Sequence, residues 1–298
     1  MTLANWQTAQ FLRWSFQHAR EIVPTARVSR GTGAIAELPE SLRSLADVKV
    51  PRLDGVTTTV GAVVGTTYTD GFMVLHDGRV IAEEYPSGMA PDTLHLLMSV
   101  TKSLVESVAA VLVDQGALDP AALLTTYVPA LAASGYAGAT VRHVLDMRSG
   151  ITFSEDYLNP DAEVRMLAQC IGWSTRRDRS SPASMYDFLL TLKQGSPHGG
   201  PFAYRSSETD VLGWVCEEAT GRRMPGGMYR NQFWLPYPDR DVLLCLGIHG
   251  QMIYVNPAAR LVGVKLSSWP SPQDAAMLSA TLQAFDAVAG HVGTATAR

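Results

Sequence analysis

Two β-rich blocks stand at opposite ends of a long helical middle, and this order limits the folds open to the chain. Residues 71–85 (GFMVLHDGRVIAEEY) read as a hairpin, because two β-prone runs flank His76-Asp77-Gly78-Arg79 and Asp-Gly suits the positive φ of a two-residue turn. From Arg240 onward, DVLLCLGIHG, QMIYVNPAAR and LVGVKLSSW read as three further short strands, with Asn256-Pro257 the clearest turn between them. The strongest helical pattern covers 99–115, where Val100, Leu104, Val108, Val111 and Leu112 recur at three- and four-residue steps before Gly116. Residues 121–195 read as helical segments broken by loops. A second long helix covers 204–219, opened by Ser206 and Ser207 and closed by Gly221, and the tail over 273–290 is helical again. Residues 1–70 read as a helix followed by irregular chain. A sheet drawing strands from both ends, with helices inserted between, is an α+β arrangement rather than an alternating parallel one. The expected domains are a sheet domain over 1–98 and 228–298 and a helical domain over 99–227, with the site where the two meet.

Composition narrows the function. Of 298 residues, 46% are apolar and 17% charged, enough to bury a substantial core in one or two domains. With a net charge of -4 and no Lys/Arg run interleaved with aromatics, nucleic acid is not an expected partner. The N-terminus lacks a basic region followed by a continuous apolar stretch, and the apolar stretches elsewhere are too short for a bilayer, so no membrane is expected and cytoplasmic residence is the default. Cys170, Cys216 and Cys245 suggest neither a disulfide framework nor a zinc site, and the seven histidines do not fall at metal spacings. No cofactor or metal is called for. A homodimer is left open.

Ser99-Val100-Thr101-Lys102 is the only S-x-x-K in the chain, and it opens the strongest helix. Residues three apart share a helix face, so the Lys102 amine can reach back to the Ser99 hydroxyl, which is a poor nucleophile until a base takes its proton. Burial and the positive helix end both favour neutral lysine, and the N–H groups there can face an oxyanion. The second element is Tyr204-Arg205-Ser206 at the mouth of the second long helix, where a phenol could relay the proton to a leaving group. The third is Gly247-Ile248-His249-Gly250-Gln251, read as a β segment between glycines whose edge N–H, at Ile248, could complete an oxyanion hole. Taken singly, each has a bland reading: a chance spacing, a half-buried tyrosine, a strand end with a turn and a solvated histidine. Trp173 with Arg176 and Arg177 reads as a solvated loop or an anion clamp, and Glu155-Asp156 as surface charge. G-x-S-x-G, H-E-x-x-H and a P-loop are absent.

In this order and at these separations, the three elements resemble the β-lactamase-like serine hydrolases, which include class C β-lactamases, D,D-peptidases and carboxylesterases. The stretches HLLMSVTKSL, VLDMRSGITFSEDY, GWSTRR, TDVLGWV, GIHGQ and VKLSSWP are most similar to the 6-aminohexanoate-dimer (nylon oligomer) hydrolase branch. The resemblance implies a β-lactamase/transpeptidase-like fold. It also implies acylation of Ser99, proton handling by Lys102 and Tyr204, and an oxyanion between the amides of Ser99 and Ile248. Tyr157 would be the loop tyrosine over a substrate amide, with Trp173, His249 and Gly250 as further substrate-binding candidates. The implied substrate is a small carboxylic ester or an amide. Three departures stand out. Ala168 occupies the place where an aspartate favours amide oligomers, and I-H-G replaces the K-T-G of β-lactam enzymes. Between Gly221 and Met228 the family also carries a long additional stretch that is bridged here by Arg222-Arg223-Met224-Pro225-Gly226-Gly227. The alternatives are a catalytically weak binding or scaffold protein on the same fold, and a β-lactamase or D,D-peptidase.

Overall fold

The structure is a computed structural model, and it describes every residue except 27, 29, 30, 53, 179, 180, 222–232, 238, 297 and 298. In chain order, the N-terminal part contains α1 (Leu12–Gln17), α2 (Ala19–Ile22), β1 (Lys49–Pro51), β2 (Thr57–Thr59), α3 (Val60–Thr66), β3 (Thr69–His76) and β4 (Arg79–Glu84). The middle contains α4 (Val100–Asp114), α5 (Leu124–Tyr127), α6 (Val141–Leu145), α7 (Glu163–Cys170), α8 (Met185–Thr191) and α9 (Ser206–Thr220). The last part contains β5 (Phe233–Trp234), β6 (Leu243–Gly247), β7 (Gln251–Asn256), β8 (Leu261–Ser267) and α10 (Ala275–Thr296). Two compact units result. One, the helical unit, comprises Met1–Ala4, Arg20–Val28 and Thr101–Gln232, and the other, the sheet unit, comprises Asn5–Ala19, Ser29–Val100 and Phe233–Arg298.

In the sheet unit, six antiparallel strands run in the order β4-β3-β8-β7-β6-β5, so strands from both chain ends share one sheet and the fold is α+β. The β3–β4 hairpin turns on Asp77 and Gly78 at φ 52° and 72°, the left-handed pair that a two-residue turn demands. Phe72, Val74, Leu244, Met252, Tyr254 and Leu261 pack against Val60, Val63 and Val64 of α3 and Phe285, Val288 and Val292 of α10. Phe285 stacks between Phe72 and Tyr254, with centroids 5.5 and 5.4 Å away. Each such fully buried side chain contributes about 1.5–3 kcal/mol. Asp70 on β3 is wholly buried and paired, with Arg13 Nε at 2.7 Å and His95 Nε2 at 3.3 Å. On the neighbouring β8, burial pulls the Lys265 amine down to about 7, partly offset by Asp70.

In the helical unit, α9 is enclosed on nearly all sides. Val211, Leu212, Val215 and Cys216 lie in an apolar cluster with Leu131, Tyr136, Val144, Phe188 and Leu189. Its first turn is buried as well, although Ser206, Ser207, Glu208, Thr209 and Asp210 are all polar. Helix α4 departs in part from the expectation of its apolar spacing. Leu104, Val108 and Val111 are 50%, 42% and 53% exposed, whereas Lys102, Ser103, Val105 and Ala109 are buried. Of the five apolar positions expected inside, Val100 and Leu112 are buried, while Leu104, Val108 and Val111 point to solvent and the inward face also carries Lys102 and Ser103.

Candidate active site

Ser99 is the residue before the first turn of α4, and it is buried in the sheet unit. Met98 before it has φ 47°, a left-handed conformation that a bulky side chain adopts at a cost of about 1–3 kcal/mol. Restraints surround that strain. Leu96 N–H donates to Phe16 O at 2.8 Å, and Val100 N–H to Leu97 O at 3.1 Å. Gly247, at the end of β6, presses on the same segment, since a Cβ there would fall 2.7 Å from Leu97 O and 3.1 Å from Met98 Cβ. Only glycine allows this approach, which sets Ile248 beside the main chain that leads into Ser99.

Of the two readings the sequence offers after Gly247, a β segment or a strand end with a turn, the structure has the turn. Ile248–Gly250 is a 3₁₀ turn in which His249 has φ 61°. Ile248 N–H thereby leaves the β6–β7 ladder, which ends at Gly247↔Gln251. His249 is not solvated, being 3% exposed. Its neutral imidazole donates from Nδ1 to Trp269 O at 2.7 Å, and burial holds its pKa below the usual histidine range. His249 N–H donates to Pro272 O and Trp269 N–H to His249 O, so the turn is bolted to the chain after β8.

The helical unit assembles a second group of candidates. Lys102 is 1% exposed; its Nζ donates to Ser206 Oγ at 3.1 Å and stands 5.5 Å from the centre of the Tyr204 ring. Ser206 is the first residue of α9, and its N–H donates to Glu155 Oε1. Glu155 Oε2 accepts from Tyr157 O–H at 2.6 Å. Glu155, read from sequence as surface charge, is thus the carboxylate joining the α9 mouth to the loop tyrosine. Its immediate neighbours give it no distinctive spacing, so only the fold reveals it. Glu155→Ala would remove the carboxylate that two donors share, and kcat/KM is expected to fall about 10- to 100-fold without loss of fold, measured on an ester substrate.

Tyr204 sits between two restrained neighbours. Ala203 N–H donates to Met147 O, and Arg205 Nη1 donates both to Ala203 O and to Glu208 Oε1, each at 3.1 Å. Ser149 Oγ donates to the same Glu208 oxygen at 2.5 Å, while Glu208 Oε2 has no hydrogen-bond partner. Burial pushes the Glu208 carboxyl from 4.5 up to about 7. The folded protein therefore holds a proton there that the unfolded chain has released, so stability falls as pH rises from 4.5 to about 7. This one group accounts for about 3 kcal/mol at most. Denaturant titrations at pH 5 and 7.5 are expected to show a smaller stability difference in Glu208→Gln than in the parent, and an equal difference would refute the assignment.

Trp173, just past α7, donates its N–H to Ala168 O in the helical unit. The structure thus joins Lys102, Tyr204 and Tyr157 through Ser206 and Glu155 in one unit, and sets Ser99, Ile248, His249 and Gly250 in the other. Residues 222–232, which hold the sequence-predicted domain boundary and shortened bridge, lie outside the described residues. Among the described residues no three His, Cys, Asp or Glu side chains are grouped to hold a metal ion, and no helix is long and apolar enough to cross a membrane.

A family profile described as Beta-lactamase matches residues 59–233. The chain belongs to the beta-lactamase family of serine hydrolases. It is 34% identical over 360 residues to a 6-aminohexanoate-dimer hydrolase of Paenarthrobacter ureafaciens, covering 91% of this chain and 89% of that protein. An alignment of 360 positions needs gaps in a chain of 298 residues, so the relative carries extra segments. A Bacillus anthracis structure with the provisional description 6-aminohexanoate-dimer hydrolase superposes with a TM-score of 0.88 at 21% identity, over 98% of this chain and 97% of that one. The fold thus has a counterpart of nearly equal length. A family VIII carboxylesterase superposes with a TM-score of 0.54 at 12% identity, over 76% of this chain and 96% of that one.

Proposed function

We propose that this serine hydrolase cleaves small carboxylic esters, and more slowly short amides, through an acyl-enzyme on Ser99. Lys102, assisted by Tyr204, takes the Ser99 proton as the oxygen attacks the carbonyl carbon. The tetrahedral oxyanion rests on the N–H groups of Ser99 and Ile248, the latter lying just beyond the end of the β6–β7 ladder. Collapse breaks the bond to the leaving group, which departs with the proton from Tyr204, and water then releases the acid by the same steps. The observation that carries this reading is the buried Lys102 amine held at 3.1 Å by Ser206 and 5.5 Å from the Tyr204 ring centre, an arrangement that costs desolvation and has no packing purpose.

Ester preference follows from leaving-group chemistry, since an alkoxide asks less of the proton donor than an amine does. Tyr157 would lie over a substrate amide, with Trp173, His249 and Gly250 as further substrate-binding candidates. The relative's printed activity makes 6-aminohexanoate dimer the first amide to try, and Ala168 in place of an acidic residue argues for weak turnover of it. The test is fluorophosphonate labelling with peptide mapping, beside a panel of p-nitrophenyl esters, amino-acid amides and 6-aminohexanoate dimer. Modification at Ser99 with ester turnover is expected. An unlabelled, inert protein would instead support a scaffold role, and nitrocefin turnover a β-lactam enzyme.

A further inference from the structure

We propose that Gln251 is a positioning residue for the oxyanion donor Ile248, holding its peptide at the angle the transition state needs. This rests on the acyl-transfer reading above and deepens it. Gln251 opens β7 and is 1% exposed, yet its carboxamide works as a surrogate peptide. The β7–β8 ladder ends at Met252↔Lys265. Beyond it, Gln251 Nε2 donates to Ser267 O at 2.7 Å and Oε1 accepts from Ser267 N–H at 3.1 Å, the pair of bonds that another ladder rung would make. The second Nε2 hydrogen faces the turn, with His249 O at 3.2 Å and Ile248 O at 3.4 Å. One amide thus ties the last residue of β8 to both carbonyls of the turn that presents the Ile248 N–H.

Neither end of this tie is loose. Lys265 Nζ donates to Ser267 Oγ and to Thr67 O, the latter at 3.2 Å, so Ser267 is fixed on its far side. On the near side Gly247 is jammed against Leu97 O, which sets the start of the Ile248 peptide. Trp269 N–H also holds the His249 carbonyl, at 3.1 Å, so without Gln251 the left-handed turn keeps that tether and loses the one shared with the Ile248 carbonyl, which lets the Ile248 segment rotate. A well-packed but purely structural glutamine would need only satisfied bonds. This one spends its second hydrogen on the two carbonyls that follow the donor in the chain.

The experiment compares the parent with Gln251→Met, which keeps volume and loses all four bonds, and Gln251→Asn, which keeps the amide but shortens its reach. Each is assayed with p-nitrophenyl butyrate and its thiono ester, whose sulfur is a poor hydrogen-bond acceptor. Both variants are expected to lose about 10- to 100-fold in kcat with KM within about twofold, and to lose most of the parent's preference for oxygen over sulfur. A structural role alone would not change that ratio. Folded variants with an unchanged oxygen-to-sulfur ratio overturn the proposal, as does failure of both to fold, which would make Gln251 a stability residue. Fluorophosphonate labelling of the parent separates the two hypotheses: an unlabelled Ser99 sinks the acyl-transfer reading, whereas a labelled Ser99 with indifferent variants sinks only the role of Gln251.

Discussion

Replacing Ser99 with alanine is expected to lower ester turnover by about three or more orders of magnitude, because covalent catalysis disappears and only binding and the oxyanion donors remain. The change removes one oxygen from a small, buried side chain ahead of α4, so no cavity of consequence opens and the melting temperature should hardly move. The measurement is kcat/KM on p-nitrophenyl acetate and butyrate beside a thermal melt, with fluorophosphonate labelling as the covalent check. Substantial turnover by a folded Ser99→Ala protein would end the assignment of the nucleophile. The prediction is demanding because Ser99 and Ile248 amides stay in place in the variant, so only the attacking atom is removed.

The second large effect is at Lys102. Lys102→Met keeps the volume of a wholly buried side chain while removing its amine, so kcat is expected to fall about 10²- to 10⁴-fold with KM little changed. Stability should hold or rise, since a desolvated amine is replaced by an apolar chain of similar shape. The pairing of lost activity with kept stability distinguishes a proton carrier from a structural cation. Tyr204→Phe, which leaves the ring 5.5 Å from Nζ and removes only the hydroxyl, is expected to cost about two orders of magnitude by the same argument. Near-parent rates in either folded variant would remove that residue from the mechanism.

The hairpin at Asp77-Gly78 and the helices α4 and α9 were legible because local chemistry determines them: a left-handed turn pair, a sustained period, a glycine stop. The three-residue strands β1 and β2 were not, since three residues display no period and only their pairing with each other makes them, nor was the short α3, whose buried valines pack against the distant α10. The face of α4 was misread because apolar spacing assumes that the buried side is the greasy one. Here the inward side holds Lys102 and Ser103, and Leu104, Val108 and Val111 are turned out. At Ile248–Gly250 the sequence left a β segment and a strand end with a turn side by side, and nothing in I-H-G announces that a non-glycine histidine adopts φ 61° and is buried. That conformation is imposed by Trp269, Pro272 and Gln251, which lie later in the chain.

The pairing of β3 with β8 also governs the order in which this protein can take shape on the ribosome. Thr69 through His76 lie beside Leu261 through Ser267, so one flank of the early hairpin waits for a mate encoded far downstream. Until then the nascent chain exposes an open β edge, with Phe72 and Val74 lacking Phe285 to cover them. The intervening helices rely on nearer contacts and are free to condense first, leaving sheet closure as the late, slow step.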